Sequence, residues 1–291
     1  MKKVFLKKPR LMHQELHSEG WRAYRLAPTA SLRRAAIHAI ADRQLRRMDH
    51  AFLRTGLLDR TDDFTKAELK VEANGSVMYQ LATHIKLSCP RHIISATLWG
   101  VVGGPQDAYL PWDVTEDFEQ IDESTVYSRI VDARDPNKTW HSNVIRKQYH
   151  EQDKDILIAR AVLDDALVPQ MTTDGVENKW IWGQVASLDD SSCRLTLLIQ
   201  VGLNEIANDS STVQCAVDMA NRMNRTLPSS LTVKEGNESE MPIVPASYDM
   251  DVALVEHPSI RFFLENGKRV RDAVNYALRQ VIQARNGEPT R

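Results

Sequence analysis

From Glu119 to Leu203 the chain is a nearly unbroken succession of extended segments, and this run limits the possible folds more than anything else in it. FEQIDESTVYSRIVDA (118–133) is followed by KTWHSNVIRKQYHE (138–151), DILIARAVLDDALVP (155–169), NKWIWGQVASL (178–188) and CRLTLLIQVGL (193–203). Each is rich in β-branched, aliphatic or aromatic residues, and each is bounded by Asp, Asn, Gly, Pro or Ser. Strands of this composition separated by short turn-forming stretches read as an antiparallel meander. An earlier pair, AELKVEA (67–73) and SVMYQLATHIKLS (76–88), meets at Asn74-Gly75, which favours a tight hairpin because both residues accept positive φ.

A sheet of this length cannot bury an apolar face by itself, so the helices must cover it. Thr29 or Ser31 can cap a basic amphipathic helix running from Leu32 to about Arg54, some six turns, with Gly56 as its stop. RHIISATLWGVV (91–102) has helical spacing and ends at Gly103-Gly104-Pro105. A helix is expected from about Ser211 to Arg225, and the Pro- and Ser-rich stretch 226–257 reads as a linker. A last, long helix begins at Pro258, which suits a first turn, and carries an apolar stripe to about Ala284. The expected fold is therefore α+β: an antiparallel curved sheet wrapped around a long C-terminal helix, with an N-terminal amphipathic helix. This helix-grip order divides the chain into a basic arm and helix (1–60), a sheet domain (61–225), a linker (226–257) and a C-terminal helix (258–291) that is a candidate lid.

The chain has a net charge of −2, which conceals an asymmetry. Residues 1–60 hold 14 Lys+Arg against 5 Asp+Glu, a net of +9, and the remainder holds 23 against 34, a net of −11. The arm could fold back onto the acidic body, or meet a protein partner, nucleic acid or another anionic surface. No stretch approaches the roughly 18 apolar residues of a membrane span, and the N-terminus lacks the apolar core of a secretory signal. The three cysteines, Cys89, Cys193 and Cys215, are too few and too irregular for a disulfide framework, which points to a reducing, cytoplasmic or nuclear setting.

Motifs that carry chemistry are missing. There is no CxxC, GxSxG, Walker or GxGxxG pattern, so neither a metal, a cofactor nor a catalytic residue is expected. Tyr127, Asp132 and His141 have no spacing that links them, which leaves a helix-grip cyclase as a remote alternative. The candidate ligand-contacting residues are the aromatic ones at strands and their approaches, Trp112, Tyr127, Trp140, Trp180 and Trp182, and the strand arginines Arg129 and Arg160. Trp180 and Trp182 share a face by alternation, and serve equally well as pocket lining or core filler. Arg129, Arg146 and Arg160 lie in strands, and any of them that faces inward needs a carboxylate such as Glu116, Asp132 or Asp164. Asp164-Asp165, at a strand end before Pro169, reads as solvated, and Cys193 as a small buried hydrophobe.

The ordered set IDESTVYSRIVDA (121–133), HSNVIRKQY (141–149), LIARAVLDDALVP (157–169), Trp180 in KWIWGQV, and CRLTLLIQVGL (193–203) resembles the StAR-related lipid-transfer (START) superfamily, in its divergent START-like form found in oomycetes and including their mating-specific proteins. The resemblance spans about residues 65–225. It implies a non-enzymatic module with a lipid, sterol or similar apolar molecule held between sheet and lid helix, and no metal or catalytic residues.

Overall fold

The computed structural model describes residues 24–71, 77–104, 110, 112–203 and 258–286. The expected helix at 211–225, Cys215 and the turn at Asn74-Gly75 lie outside them. After a two-residue strand β1 (Arg25–Leu26) come helices α1 (Ala30–Leu45) and α2 (Met48–Thr55). Strands β2 (Phe64–Val71) and β3 (Val77–Leu87), helix α3 (Arg91–Val102), and strands β4 (Val114–Asp122), β5 (Thr125–Asp132), β6 (Trp140–His150) and β7 (Lys154–Ala161) follow. The short strands β8 (Asp164–Asp165) and β9 (Gly175–Val176) precede β10 (Asn178–Ser187) and β11 (Cys193–Gly202). The last described element is helix α4 (Pro258–Asn286).

The main sheet has the order β2-β3-β11-β10-β7-β6-β5-β4, with β9 beside β6. Every neighbouring pair along that order is antiparallel. The two halves of the chain's strand set therefore join through β3 and β11, and the meander expected from the alternation is present. Helices α3 and α4 cover one face, where Ile94, Val102, Val274 and Leu278 pack with Leu87, Val185 and Leu195. This is the helix-grip arrangement, with the long C-terminal helix on the sheet.

The other face is covered as well. Met48, Ala51 and Phe52 of α2 pack on Ala82, Ile158, Trp182 and Leu198. Ile37, Ile40 and Ala41 of α1 pack with Tyr127, Ile145 and Val162. The basic helix is thus part of the body, and its arginines are turned to use there. Arg33 donates to both oxygens of Asp165 at 2.6 and 2.7 Å. The Arg43 guanidinium lies over the Tyr24 ring, and Arg47 donates to the Tyr24 hydroxyl at 3.1 Å. Asp42 accepts from Lys147 and from the Tyr149 hydroxyl of β6 at 2.8 and 2.7 Å.

Three expectations need correction. The single six-turn basic helix is two helices broken at Arg46–Arg47, where the Arg47 amide reaches only three residues back, to the Gln44 carbonyl at 3.2 Å. The Trp182 indole N–H also donates to that carbonyl, at 2.9 Å, so the break is fixed from the sheet. Its second half ends as expected at Gly56, whose φ of 70° gives the left-handed cap. The segment 118–133 is not one strand but the β4–β5 hairpin. Asp122 accepts from the backbone N–H and the hydroxyl of Ser124 at 2.9 and 3.0 Å, a side-chain-made turn inside a strand-like sequence. Asp164 and Asp165 are buried rather than solvated, because β8 pairs with β1 and brings Arg25 and Arg33 to them.

Candidate functional site

Alternation assigns the rows of the sheet to its two faces. In β10, Gly183 lies between Leu157 of β7 and Leu197 of β11, and Ile181 between Ala159 and Ile199. These rows face α3 and α4. Residues one step along face α1 and α2: Trp182 lies between Ile158 and Leu198, and Trp180 between Arg160 and Gln200. The cavity side of the central strands therefore carries two small residues, Ala159 and Gly183, where larger ones would meet the helix layer. A Cβ added at Gly267 of α4, an exposed position at the cavity's edge, would meet nothing within 4 Å.

The space left is a cavity of about 170 Å³ between sheet, α3 and α4. That exceeds by roughly tenfold the volume one water molecule needs. Leu81, Val144, Leu157, Ile181, Leu197 and Ile199 form its sheet wall. Leu98, Trp99 and Val102 of α3, with Gly267, Val270 and Val274 of α4, close it. An apolar enclosure of this kind with a few polar groups is how proteins hold small amphipathic molecules.

The polar lining residues are mostly engaged. Gln148 donates to the Ser95 hydroxyl at 3.0 Å. Lys179 meets Glu177 at 2.7 Å, and Arg271 meets Asp272 at 3.2 Å. Asp155 is held by His150 at 2.7 Å and by Arg91 at 3.7 Å. Arg146 differs. It is 8% exposed, and its Nη1 donates to the Val102 carbonyl at 3.2 Å, in the last turn of α3. Among the described residues no carboxylate lies within 4.0 Å of its guanidinium. Burial pulls its pKa down to about 10, a shift opposed by Glu116 and Glu177 and reinforced by Arg269. The carbonyl end of α3 favours a cation there.

Beyond the cavity, α4 is tied to the sheet by ion pairs. Arg269 meets Glu116 of β4 at 2.5 Å, with both side chains largely buried. Arg134 bridges Asp132 at 2.6 Å and also contacts Glu265. These carboxylates were the expected partners of inward-facing strand arginines. They serve instead residues of α4 and of the β5–β6 loop, while Asp164 serves Arg25.

None of the seven residues expected to contact a ligand lines this cavity. Trp182 is buried under α2, and Trp180 lies 4.5 Å from the Arg160 guanidinium. Arg160, 1% exposed, sits between that ring and Tyr24, whose ring centre is 3.8 Å away, and donates to the carbonyls of Ala161 and Lys179. Tyr127 is buried against α1 and donates to Asp165 at 2.9 Å. Arg129 is half-buried near Asp117, at 3.8 Å. Trp140 packs with Ile130 and Phe262 and borders a separate polar recess with Asp132, Arg134 and Arg261. Trp112 is 71% exposed. For Tyr127, Arg160, Trp180 and Trp182 the reason is that both sheet faces are covered, so aromatic content did not mark the cavity face. The signals that do mark it are a mid-strand glycine, Gly183, and the interior polar residues Arg146 and Gln148 at one parity of β6.

Cys193 is buried, and burial pushes its thiol up to about 12. Among the described residues no group of His, Cys, Asp and Glu is placed to hold a metal ion, and no helix is long and apolar enough to cross a membrane.

No family model matches the chain, and no curated protein does. Solved structures of similar strand and helix order exist. Human STARD10 gives a TM-score of 0.35 at 12% identity, over 59% of this chain and 76% of that one. Human StAR-related lipid transfer protein 5 gives 0.32 at 15% identity, over 60% and 97%. The Zhui aromatase/cyclase from Streptomyces sp. R1128 gives 0.28 at 11% identity, over 50% and 87%. At that similarity the walls of the cavity, and not the likeness, decide what it can hold.

Proposed function

We propose that this protein is a non-enzymatic binding module that holds an apolar or amphipathic small molecule, of lipid or sterol type, between the sheet and α4. The observation that carries the proposal is the cavity itself: about 170 Å³, walled by aliphatic side chains of β3, β6, β7, β10, β11, α3 and α4. A well-packed interior leaves few voids larger than a water molecule. A space this large, lined on the sheet by the small residues Ala159 and Gly183, is a feature that must be accounted for. Kinship with START-like proteins, their divergent oomycete form included, belongs to this same proposal, as does an intracellular setting.

The polar residues of the cavity favour binding over chemistry. Gln148, Lys179, Arg271 and Asp155 are each held by a neighbouring group, and no nucleophile–base pair is among the lining residues. The alternative in which the basic helix acts on a partner finds no such feature: its apolar side is spent on the sheet and Arg33, Arg43 and Arg47 are directed to the body.

The test is native mass spectrometry of the full chain before and after delipidation, with fatty acids, sterols and neutral lipids offered in turn. A stoichiometric adduct removed by delipidation and restored by one of these is the expected result. Failure of every one to bind the delipidated, folded protein sinks the proposal.

A further inference from the structure

The wall of the cavity is unbalanced in charge, and the imbalance has one source. Its ionised lining residues are Arg146, Lys179, Arg271 and Asp155. Lys179, Arg271 and Asp155 each have an opposite charge within 4 Å, in Glu177, Asp272 and Arg91. Among the described residues Arg146 has no carboxylate within 4 Å: its guanidinium has the Val102 carbonyl and, 5.5 Å away, the centre of the Phe118 ring. A guanidinium offers five N–H donors and does not lose its charge near neutral pH. Held inside an apolar wall without a counter-charge, it is costly. Glu116 and Glu177 favour its charge only from beyond 4 Å. Glu116 is paired with Arg269 and Glu177 with Lys179, and neither lines the cavity.

Arg146 is also placed where a head group would end. It follows Val144 along the same face of β6, and next on that face is Gln148, engaged with Ser95 of α3. The wall beyond is aliphatic on β7, β10 and β11. A chain with one polar end thus has an apolar trough for its tail and, for its head, the one lining cation that has no carboxylate within 4 Å among the described residues.

We propose that the cavity selects amphiphiles with an anionic head group, a carboxylate or phosphate, bound by the Arg146 guanidinium. This rests on the reading of the cavity as a ligand site and adds the charge of the ligand to it. A neutral hydroxyl would accept a hydrogen bond from Arg146 but leave its charge uncompensated. An anion supplies both, in the bidentate geometry that guanidinium favours.

The experiment is a titration of delipidated full-length protein with hexadecanoate, hexadecyl phosphate, hexadecanol and hexadecylammonium, each below its aggregation limit. Hexadecanoate or hexadecyl phosphate is expected to bind about tenfold or more tightly than hexadecanol, as charge-assisted hydrogen bonds do relative to neutral ones. Hexadecylammonium is expected to bind weakest. The stronger of the two anions identifies the head group. In Arg146→Met the preference for anion over alcohol is expected to fall within about twofold, with hexadecanol affinity kept. Equal or tighter binding of hexadecanol to the natural chain overturns the charge assignment while leaving the cavity reading intact. Binding of none of the four overturns the charge assignment, and the cavity reading falls with it only where sterols and neutral lipids fail to bind as well. A preference that persists in Arg146→Met places the anion site elsewhere and overturns the role of Arg146. Should that variant not fold, the comparison of anion with alcohol in the natural chain still decides the charge, and Arg146→Lys, which keeps charge but loses the fork, is expected to retain part of the preference.

Discussion

Arg33 of α1 and Asp165 of β8 stand 132 residues apart in the chain and form a two-pronged ion pair, 2.6 and 2.7 Å, in the interior. The same carboxylate accepts from the Tyr127 hydroxyl at 2.9 Å and from the Leu167 amide at 3.0 Å. Four donors on one buried carboxylate join α1, β5 and the β8 turn. Removing one partner of such a pair leaves the other charge stranded, which costs about 3–5 kcal/mol. Asp165→Asn is expected to lower unfolding stability by about 3 kcal/mol in urea titrations. Arg33→Met is expected to cost a similar amount, and the double variant less than the sum of the two, because each single change already strands its partner.

The pH dependence of this network follows from its sign. Burial opposes ionisation of Asp165, but hydrogen bonds from Arg33, Leu167 and Tyr127 outweigh it and hold the carboxyl below the usual range. A depressed carboxyl adds stability above its ordinary pKa, lost as pH falls through the lower folded value. The acid side of the stability curve, below about pH 4, is expected to steepen with Asp165 present and to flatten in Asp165→Asn. Equal slopes in equilibrium unfolding at pH 3 and 5 would count against the assignment.

His84 predicts a second, separate window. Its Nδ1 is 2.8 Å from the Thr196 hydroxyl, and the ring is buried. Burial, then the nearby Arg194, lowers its pKa, with the Arg60 backbone and Asp63 opposing. The folded protein therefore prefers the neutral ring. Between the folded pKa and the unfolded value near 6.5 the unfolded chain binds the extra proton, so stability falls as pH drops through that interval. His84→Gln, with similar size and no titration there, is expected to remove the fall between pH 7 and 5 while keeping the loss below pH 4.

How much of this was visible in the sequence depended on what one residue can reveal about its surroundings. Strand positions were legible because turn residues interrupt β-branched runs, and α3 and the start of α4 because Gly103 and Pro258 punctuate them. The β4–β5 turn was hidden because Asp122 and Ser124 build it with side chains, without glycine or proline. The break between α1 and α2 was hidden because it depends on Trp182, far away in β10. The lining of the cavity was hidden for a deeper reason. Alternation shows which residues share a face, as Trp180 and Trp182 do, but a sheet with helices on both faces gives no polar side by which to tell the faces apart. Arg146 and Arg160 illustrate it: both are strand arginines, yet one lines the cavity and the other lies between Tyr24 and Trp180.

Trp140 and Gly175 supply a packing test outside the cavity. A Cβ built on Gly175 would lie 2.3 Å from the Trp140 ring, on the strand that β9 pairs with. Gly175→Ala is expected to destabilise by about 1–3 kcal/mol, as overpacking does. The indole is the obstacle, so in a Trp140→Leu background the same substitution is expected to cost clearly less. Thermal unfolding of the four proteins checks this, and an unchanged penalty in the Leu background would refute it.

Gly267 offers the sharpest separation of stability from binding. It lies inside α4, where glycine costs about 0.5–1 kcal/mol relative to alanine, and it lines the cavity with open space where a side chain would go. Nothing in its packing demands glycine, so the cost is one that a ligand-binding role would explain. Gly267→Ala is expected to raise stability by up to about 1 kcal/mol and to leave ligand uptake nearly intact. Gly267→Leu is expected to keep or raise stability while placing a side chain at the exposed edge of the cavity, and so to reduce uptake of a hexadecyl ligand by tenfold or more, on the order of the roughly 1.5–3 kcal/mol carried by a buried aliphatic group. Unfolding curves and ligand titrations on the same two variants make the check. Unchanged uptake in a well-folded Gly267→Leu would mean that the ligand does not occupy the space beneath α4.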